Sequence, residues 1–143
     1  MRDTPVYEDD YKTCRATHAT LRIFGVASEE VTRVLGLSPT ESMHPGDLHH
    51  GAPARHHVWL LHSKLVIDSR DVRRHLDWIL DQLVARRQAL RELVGRGARV
   101  DIFCYWMSAS GHGGPTISPT QAAKLAELGI DLGFDVYFVG EKT

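Results

Sequence analysis

Alternating apolar and polar residues predict four β-strands along the chain. From Thr13 to Phe24 the apolar positions recur every second residue, as they do in a strand with one buried face. The same reasoning predicts strands over His56 to His62, Val100 to Met107 and Asp135 to Val139. The segments between these strands have a different periodicity.

Apolar residues spaced three and four apart predict three helices in those segments. A short helix begins near Ser28 and ends at Gly36, and the last helix begins at a Ser118-Pro119-Thr120-Gln121 capping box and ends at Gly129. The longest predicted helix spans Asp71 to Val94. Its apolar stripe consists of Leu76, Ile79, Leu80, Leu83, Val84, Leu90 and Val94.

The order of these elements predicts an α+β fold: β-α-β, one long helix, then β-α-β again. Because β-α-β crossovers are right-handed and join parallel strands, the simplest assembly is a four-stranded, ferredoxin-like sheet with the two short helices on one face. The long helix is then an insertion between the halves. We expect it to cover the second face of the sheet or to pack against a second subunit.

That second face is predicted to be aromatic and partly charged. The alternation assigns to it Thr20, Arg22, Phe24, His57, Trp59, Phe103, Tyr105, Asp135 and Tyr137. Tyrosine, tryptophan and arginine are enriched in protein interfaces. The candidate binding residues are therefore Arg22, His57, Trp59, Tyr105 and Tyr137 from this face. Asp47, from the segment before the second strand, is a sixth candidate.

Composition and charge restrict the function classes. The 143 residues suit one domain, with a flexible N-terminus over 1–12 and a long loop rich in His, Pro and Gly over 37–55. With 17 basic and 18 acidic residues, no overall field favours nucleic acid. No apolar run approaches the roughly 20 residues that span a bilayer, and the two cysteines suit a reducing compartment. We expect a cytoplasmic protein that binds neither membrane nor nucleic acid.

Nine histidines, five of them within positions 44–57, raise the possibility of a metal site. Imidazole binds zinc, nickel or copper, and Asp47 offers a carboxylate. The candidate ligands would be His49, His50 and His57. Adjacent histidines on a strand point to opposite faces, however, and no familiar metal-binding spacing is present. We therefore expect a solvated loop and no cofactor.

Nucleophilic catalysis has two candidate residues, Cys104 and Ser63 with a nearby histidine. Cys104 shares a strand face with Val100, Ile102 and Trp106, which predicts a buried thiol. No Gly-x-Ser-x-Gly elbow surrounds Ser63. The sequence therefore favours a binding domain over an enzyme.

The order of several landmarks resembles a known family. The landmarks are Leu35-Gly36-Leu37-Ser38-Pro39-Thr40, Gly46-Asp47, Trp59 with Ser63, Leu125-Ala126-Glu127-Leu128-Gly129 and Asp135-Val136-Tyr137-Phe138. In order, spacing and length they resemble the uncharacterised bacterial family called domain of unknown function 4279, over nearly the whole chain. The resemblance implies no activity, cofactor or catalytic residue, and the histidine-rich loop lies outside the family pattern.

Together these observations predict a small domain that acts by binding, to a protein partner or to itself. Its size and lack of catalytic motifs suit an accessory or toxin-neutralising role. The alternative is a small-molecule or metal-dependent enzyme that uses the histidine-rich loop.

Overall fold

The computed structural model describes residues 6–138, which form a mixed sheet with helices packed on one of its faces. The elements are β1 (Cys14–Phe24), α1 (Ser28–Leu35), β2 (Glu41–Met43), β3 (Leu48–His49), β4 (Ala52–Pro53), β5 (Val58–His62), α2 (Val72–Val84), α3 (Arg87–Gly95), β6 (Arg99–Ser108), α4 (Pro119–Leu128) and β7 (Asp131–Tyr137). Five strands form one sheet in the order β2-β5-β1-β6-β7, and β3 pairs with β4 in a small hairpin. The α+β class is confirmed, but the sheet has five strands where four were expected.

The first half of the sheet differs most from the prediction. Strand β5 was expected to run parallel to β1, but the two are antiparallel, with Thr20 opposite His62 and Phe24 opposite Val58. Strand β2 is antiparallel to β5 and therefore parallel to β1. The crossover through α1 thus leads to β2, and β5 returns to fill the position between β1 and β2.

Strand β2 was missed because it lies in the segment 37–55 that was expected to be a loop. It has three residues, Glu41–Met43, which are too few to show a period of two. It forms because the edge of β5 offers backbone partners to it, and Ser42 lies opposite Trp59 in this pairing. Tertiary pairing therefore determines this strand.

The second half of the sheet matches the prediction closely. Strands β6 and β7 are parallel and are connected by α4, although β7 begins at Asp131 instead of Asp135. The Ser118 N–H donates to Gln121 Oε1 at 2.9 Å, as a capping box requires. Val139, where the last strand was expected to end, lies outside the described residues.

The single long helix expected over Asp71 to Val94 is two helices. The chain leaves α-helical geometry at Arg86, which has φ −127° and ψ 32°. The Arg86 guanidinium donates to the carbonyl oxygens of Leu35 and Gln82, at 2.8 and 3.1 Å, and so joins the break to the end of α1. This bend lets α2 pack on the sheet while α3 packs against α1. Neither Gly nor Pro marks the break, so sequence pattern gave no signal for it.

The core lies between the helices and the inner face of the sheet. That face carries Leu21, Ile23, Trp59, Ile102 and Trp106, all 0% exposed. The stripe of α2 packs on it through Leu76, Ile79, Leu80 and Leu83. The expectation that this stripe covers the aromatic face is therefore wrong. The helices pack on the inner face because its side chains are largely apolar, whereas the outer face carries charged groups that burial would penalise.

The segment before β1 is anchored to α2, although a flexible N-terminus was expected over 1–12. Tyr7 Oη donates to Asp77 Oδ2 at 2.6 Å, and the Glu8 N–H donates to Asp71 Oδ2 at 2.7 Å. Residues 1–5 lie outside the described part of the chain. Within residues 6–138, no helix has the length and apolar character needed to cross a bilayer.

Candidate functional site

Within residues 6–138 no helix packs on the outer face of the sheet, and we call it the open face. Residues that share this face were identified from the strand register, since directly opposite residues point to the same side. They are Glu41, Met43, Val58, Leu60, His62, His18, Thr20, Arg22, Phe24, Arg99, Asp101, Phe103, Tyr105, Met107, Asp131, Gly133, Asp135 and Tyr137. None of them belongs to the buried core of residues 6–138.

Arg22 and Asp101 form an ion pair at the centre of the open face. They lie directly opposite each other on β1 and β6, and Arg22 Nε and Nη2 donate to the two Asp101 oxygens at 2.7 and 2.9 Å. The guanidinium carbon lies 4.0 Å from the centre of the Phe103 ring. The two-pronged hydrogen bond and the ring together hold the guanidinium flat on the sheet.

The position of Phe103 depends on Gly133 in the neighbouring strand. The two residues are register partners between β6 and β7, and the Phe103 ring occupies the space that a side chain at 133 would need. An aromatic ring over a strand glycine shields the backbone that the glycine leaves uncovered. The open face is therefore a surface of ordered side chains.

A row of three rings crosses β1, β6 and β7 on the same face. The His18 and Tyr105 rings are stacked, with centroids 5.1 Å apart and planes 17° apart. The Tyr105 and Tyr137 centroids are 5.2 Å apart. Tyr137 Oη donates to Asp135 Oδ2 at 3.1 Å, and this hydrogen bond raises the pKa of Tyr137. The row gives the open face a continuous aromatic strip.

His18 at the end of this strip is uncharged at neutral pH. Burial, together with the smaller effects of the charges of Lys64, His62 and His75, lowers the pKa of His18 to about 4. A neutral ring stacks on Tyr105 without placing a positive charge in a half-buried position.

The structure brings together three of the six predicted binding residues. Arg22, Tyr105 and Tyr137 lie on the open face. Trp59 does not: it points into the core at 0% exposure, where its Nε1 donates to Thr32 Oγ1 at 3.0 Å. Its assignment to the aromatic face is wrong because Val58-Trp59-Leu60-Leu61 is apolar throughout, so the pattern could not indicate which side faces inward.

The other two predicted residues, Asp47 and His57, lie away from the open face. Asp47 belongs to the turn before the β3–β4 hairpin, where its Oδ2 accepts from the His44 N–H at 2.8 Å. His57 precedes β5, and its carbonyl accepts from the Gly25 N–H at 3.1 Å. Both serve the local structure of the histidine-rich segment.

Four of the five histidines of that segment form two separate pairs. The rings of His44 and His57 are 5.5 Å apart, and His44 Nε2 is 3.0 Å from Glu29 Oε2. His49 and His50 pack on each other at the hairpin, with centroids 4.1 Å apart. In the part of the chain that the structure describes, no three His, Cys, Asp or Glu side chains converge to hold a metal ion.

Ser63 does meet a histidine, but in the interior. The His75 Nε2–H donates to the Ser69 carbonyl at 2.8 Å, which leaves Nδ1 to accept from Ser63 Oγ at 2.6 Å. Ser63 Oγ in turn accepts from the Ala19 N–H at 3.0 Å. Ser63 is 0% exposed and burial lowers the pKa of His75, so this pair fixes the end of β5 and offers no nucleophile to a substrate.

Cys104 is buried in the core, as expected. Burial raises the pKa of its thiol to about 12, so no thiolate forms near neutral pH. Both Cys104 and Cys14 are free and buried.

Sequence reasoning missed several residues of the open face. Asp101 was not among the candidate residues, because its pairing with Arg22 depends on a register that only the folded sheet provides. On the open face, strand β5 contributes Leu60 and His62, whereas Trp59 and His57 were expected there. Gly133 carried a signal, since a glycine inside a strand marks close approach by a neighbour.

Comparison with known proteins yields one family. The family model described as Domain of unknown function (DUF4279) matches residues 14–139. No curated protein and no solved structure matches the chain.

Proposed function

The chain belongs to the family described as Domain of unknown function (DUF4279), and we propose that it is a binding domain whose open face docks a protein partner. The observation that supports the proposal is the uncovered aromatic strip beside the Arg22–Asp101 pair. Tyrosine and arginine dominate the binding energy of protein interfaces. The helices occupy the other face, so a partner can approach without displacing an element of the fold.

The charge of the open face favours a protein over a nucleic acid. Two arginines, Arg22 and Arg99, share the face with four carboxylates. The carboxylates belong to Glu41, Asp101, Asp131 and Asp135. Aromatic sheets that stack RNA bases require a positive surface for the phosphates, whereas this face is negative overall.

An accessory role, such as holding or neutralising another protein, suits a domain with an open face whose two candidate nucleophiles, Ser63 and Cys104, are buried. A reducing cytoplasm suits its two free, buried thiols. Met107 lies beside Tyr105 and Tyr137, and Met43 lies on the same face at the β2 edge. Methionine adapts its shape to a partner surface.

Site-specific photocrosslinking in the native cells tests this proposal. A photoreactive amino acid replaces Tyr137 on the open face, and in a control protein it replaces Gln88, which is exposed on α3. We expect one protein to crosslink from position 137 and not from 88. A partner that crosslinks from 88 alone, or nucleic acid crosslinked from 137, would contradict the proposal.

A further inference from the structure

A groove lies beside the beginning of β1, at one end of the open face. It encloses about 650 Å³ between β1 and the segment 64–70, and His18 and Tyr105 of the aromatic strip form part of its wall. Grooves that hold small ligands or peptide segments have volumes of roughly 300–1,000 Å³. The groove is therefore large enough for a short stretch of another chain.

The charges that line the groove are mainly positive. Arg15, Lys64 and Arg70 all border it, and within residues 6–138 none of the three forms an ion pair or a side-chain hydrogen bond. Asp9 also borders it, but its Oδ1 lies 2.8 Å from Arg74 Nε, and this ion pair neutralises its charge. Asp68 is the remaining carboxylate. Three cations against one free carboxylate create a potential that attracts an anionic group.

The groove also borders a part of the β1 backbone that β5 does not pair with. The Ser63 N–H donates to the Ala19 carbonyl at 3.0 Å and the Gly25 N–H donates to the His57 carbonyl at 3.1 Å, so odd-numbered residues of β1 turn their backbone groups toward β5. Strand β5 ends at His62, before it reaches Thr17. The N–H and C=O of Thr17, which borders the groove and is 8% exposed, therefore face the side of β1 that β5 leaves unpaired.

Ile67 adds apolar surface to the wall of the groove, and two exposed apolar residues precede it in the chain. In the segment that forms the far wall, Leu65 is 91% exposed and Val66 is 60% exposed. An inorganic anion would use none of this apolar surface, whereas a peptide would use it together with the cations.

We propose that this groove binds an extended, acidic peptide segment. Its carboxylates would meet Arg15, Lys64 and Arg70, and one of its residues would pair with the Thr17 N–H and C=O as an added strand does. An apolar side chain of the segment would pack on Ile67, which lines the groove. The inference rests on the proposed function in one respect, since the segment would belong to the protein partner.

Nuclear magnetic resonance titration with a defined peptide tests the groove alone. The probe is acetyl-Glu-Val-Glu-Val-Glu-amide, and the matched control is the same peptide with Gln in place of Glu. We expect saturable shifts of the Thr17, Lys64 and Arg70 amides with the acidic peptide alone. The triple variant R15Q/K64Q/R70Q should bind at least about tenfold more weakly, because each lost charge contact removes part of the binding energy.

Controls separate this site from the open face and from nonspecific attraction. Arg55→Gln, which removes an exposed arginine outside the groove, should leave the affinity unchanged. Equal binding of the Gln peptide, or an unchanged affinity of the triple variant, would overturn the inference. Succinate that binds as tightly as the peptide would also overturn the inference, since the site would then recognise a small free carboxylate and not a peptide. If the peptide does not bind while a partner still crosslinks from position 137, the groove assignment is overturned and the proposed function stands.

Discussion

A Cβ atom on Gly133 would lie 2.5 Å from Cζ of Phe103. Atoms do not approach so closely, so any side chain at position 133 must push the Phe103 ring out of its place. Because the same ring lies under the Arg22 guanidinium, this glycine on β7 fixes the arrangement of charged and aromatic groups on β1 and β6.

Gly133→Ala should therefore disturb the open face while preserving the fold. Forcing a methyl group into an occupied space costs about 1–3 kcal/mol, and we expect the lower end because Phe103 can move toward solvent. Loss of the ring current should shift the Arg22 δ-proton resonances downfield. Gly114→Ala is the control, since nothing lies within 4 Å of its Cβ position. Unchanged Arg22 resonances in Gly133→Ala would show that the position of the Arg22 guanidinium does not depend on Gly133.

The Arg22–Asp101 pair should show measurable coupling. Its side chains are 32% and 26% exposed, and both guanidinium hydrogen bonds are present. A double-mutant cycle with Arg22→Ala and Asp101→Ala, measured through the free energy of unfolding, should give a coupling energy of about 0.5–1 kcal/mol. The Arg33–Glu30 pair on α1, which is 63% and 42% exposed, is the reference and should give less. Coupling no larger than in the reference would show that the open face does not order the guanidinium.

Leu83→Ala should destabilise the protein by about 2–5 kcal/mol, because it leaves a cavity under α2, where Leu83 is 0% exposed. Val94→Ala is the matched control, since Val94 is 53% exposed and such a substitution costs less than about 0.5 kcal/mol. Urea denaturation measures both. Because Leu83 packs within its own chain, the loss should be independent of protein concentration. A loss below about 0.5 kcal/mol for Leu83→Ala would contradict the core described here.

Acidification should weaken the fold below about pH 6.5. The pKa of His18 is about 4 in the folded state, against an unfolded value near 6.5, and burial also lowers the pKa of His75. The unfolded chain therefore binds protons first, so the stabilisation is complete above pH 6.5 and is lost as the pH falls toward 4. His18→Gln should make the pH dependence of the melting temperature shallower over this window. An identical profile in the variant would show that His18 is not buried as described.

The sequence predicts the second half of the fold well and the first half poorly. The unit β6-α4-β7 follows from clear alternation, a capping box and a closing glycine, which are all local signals. The positions of β2 and of the break at Arg86 depend on distant partners, namely the edge of β5 and the end of α1. Local pattern contains neither.

The candidate site was predictable only in part for the same reason. Arg22, Tyr105 and Tyr137 lie on strands with clear alternation, so their face could be read from the sequence. Trp59 was misplaced because its strand is apolar on both sides. The groove could not be foreseen, since it forms where β5 ends short of Thr17, and that end point depends on how β5 pairs with β1.

The affinity of the crosslinked partner for variants of the open face tests the central claim most directly. Isothermal titration calorimetry compares the unaltered protein with Y105A/Y137A and with Gln88→Ala on the helical side. If the aromatic strip is the docking surface, the double variant should bind at least about tenfold more weakly, because central tyrosines carry much of the binding energy of an interface. Gln88→Ala should bind as the unaltered protein does. Equal affinities for all three proteins, with the double variant correctly folded, would show that the partner does not dock on the open face.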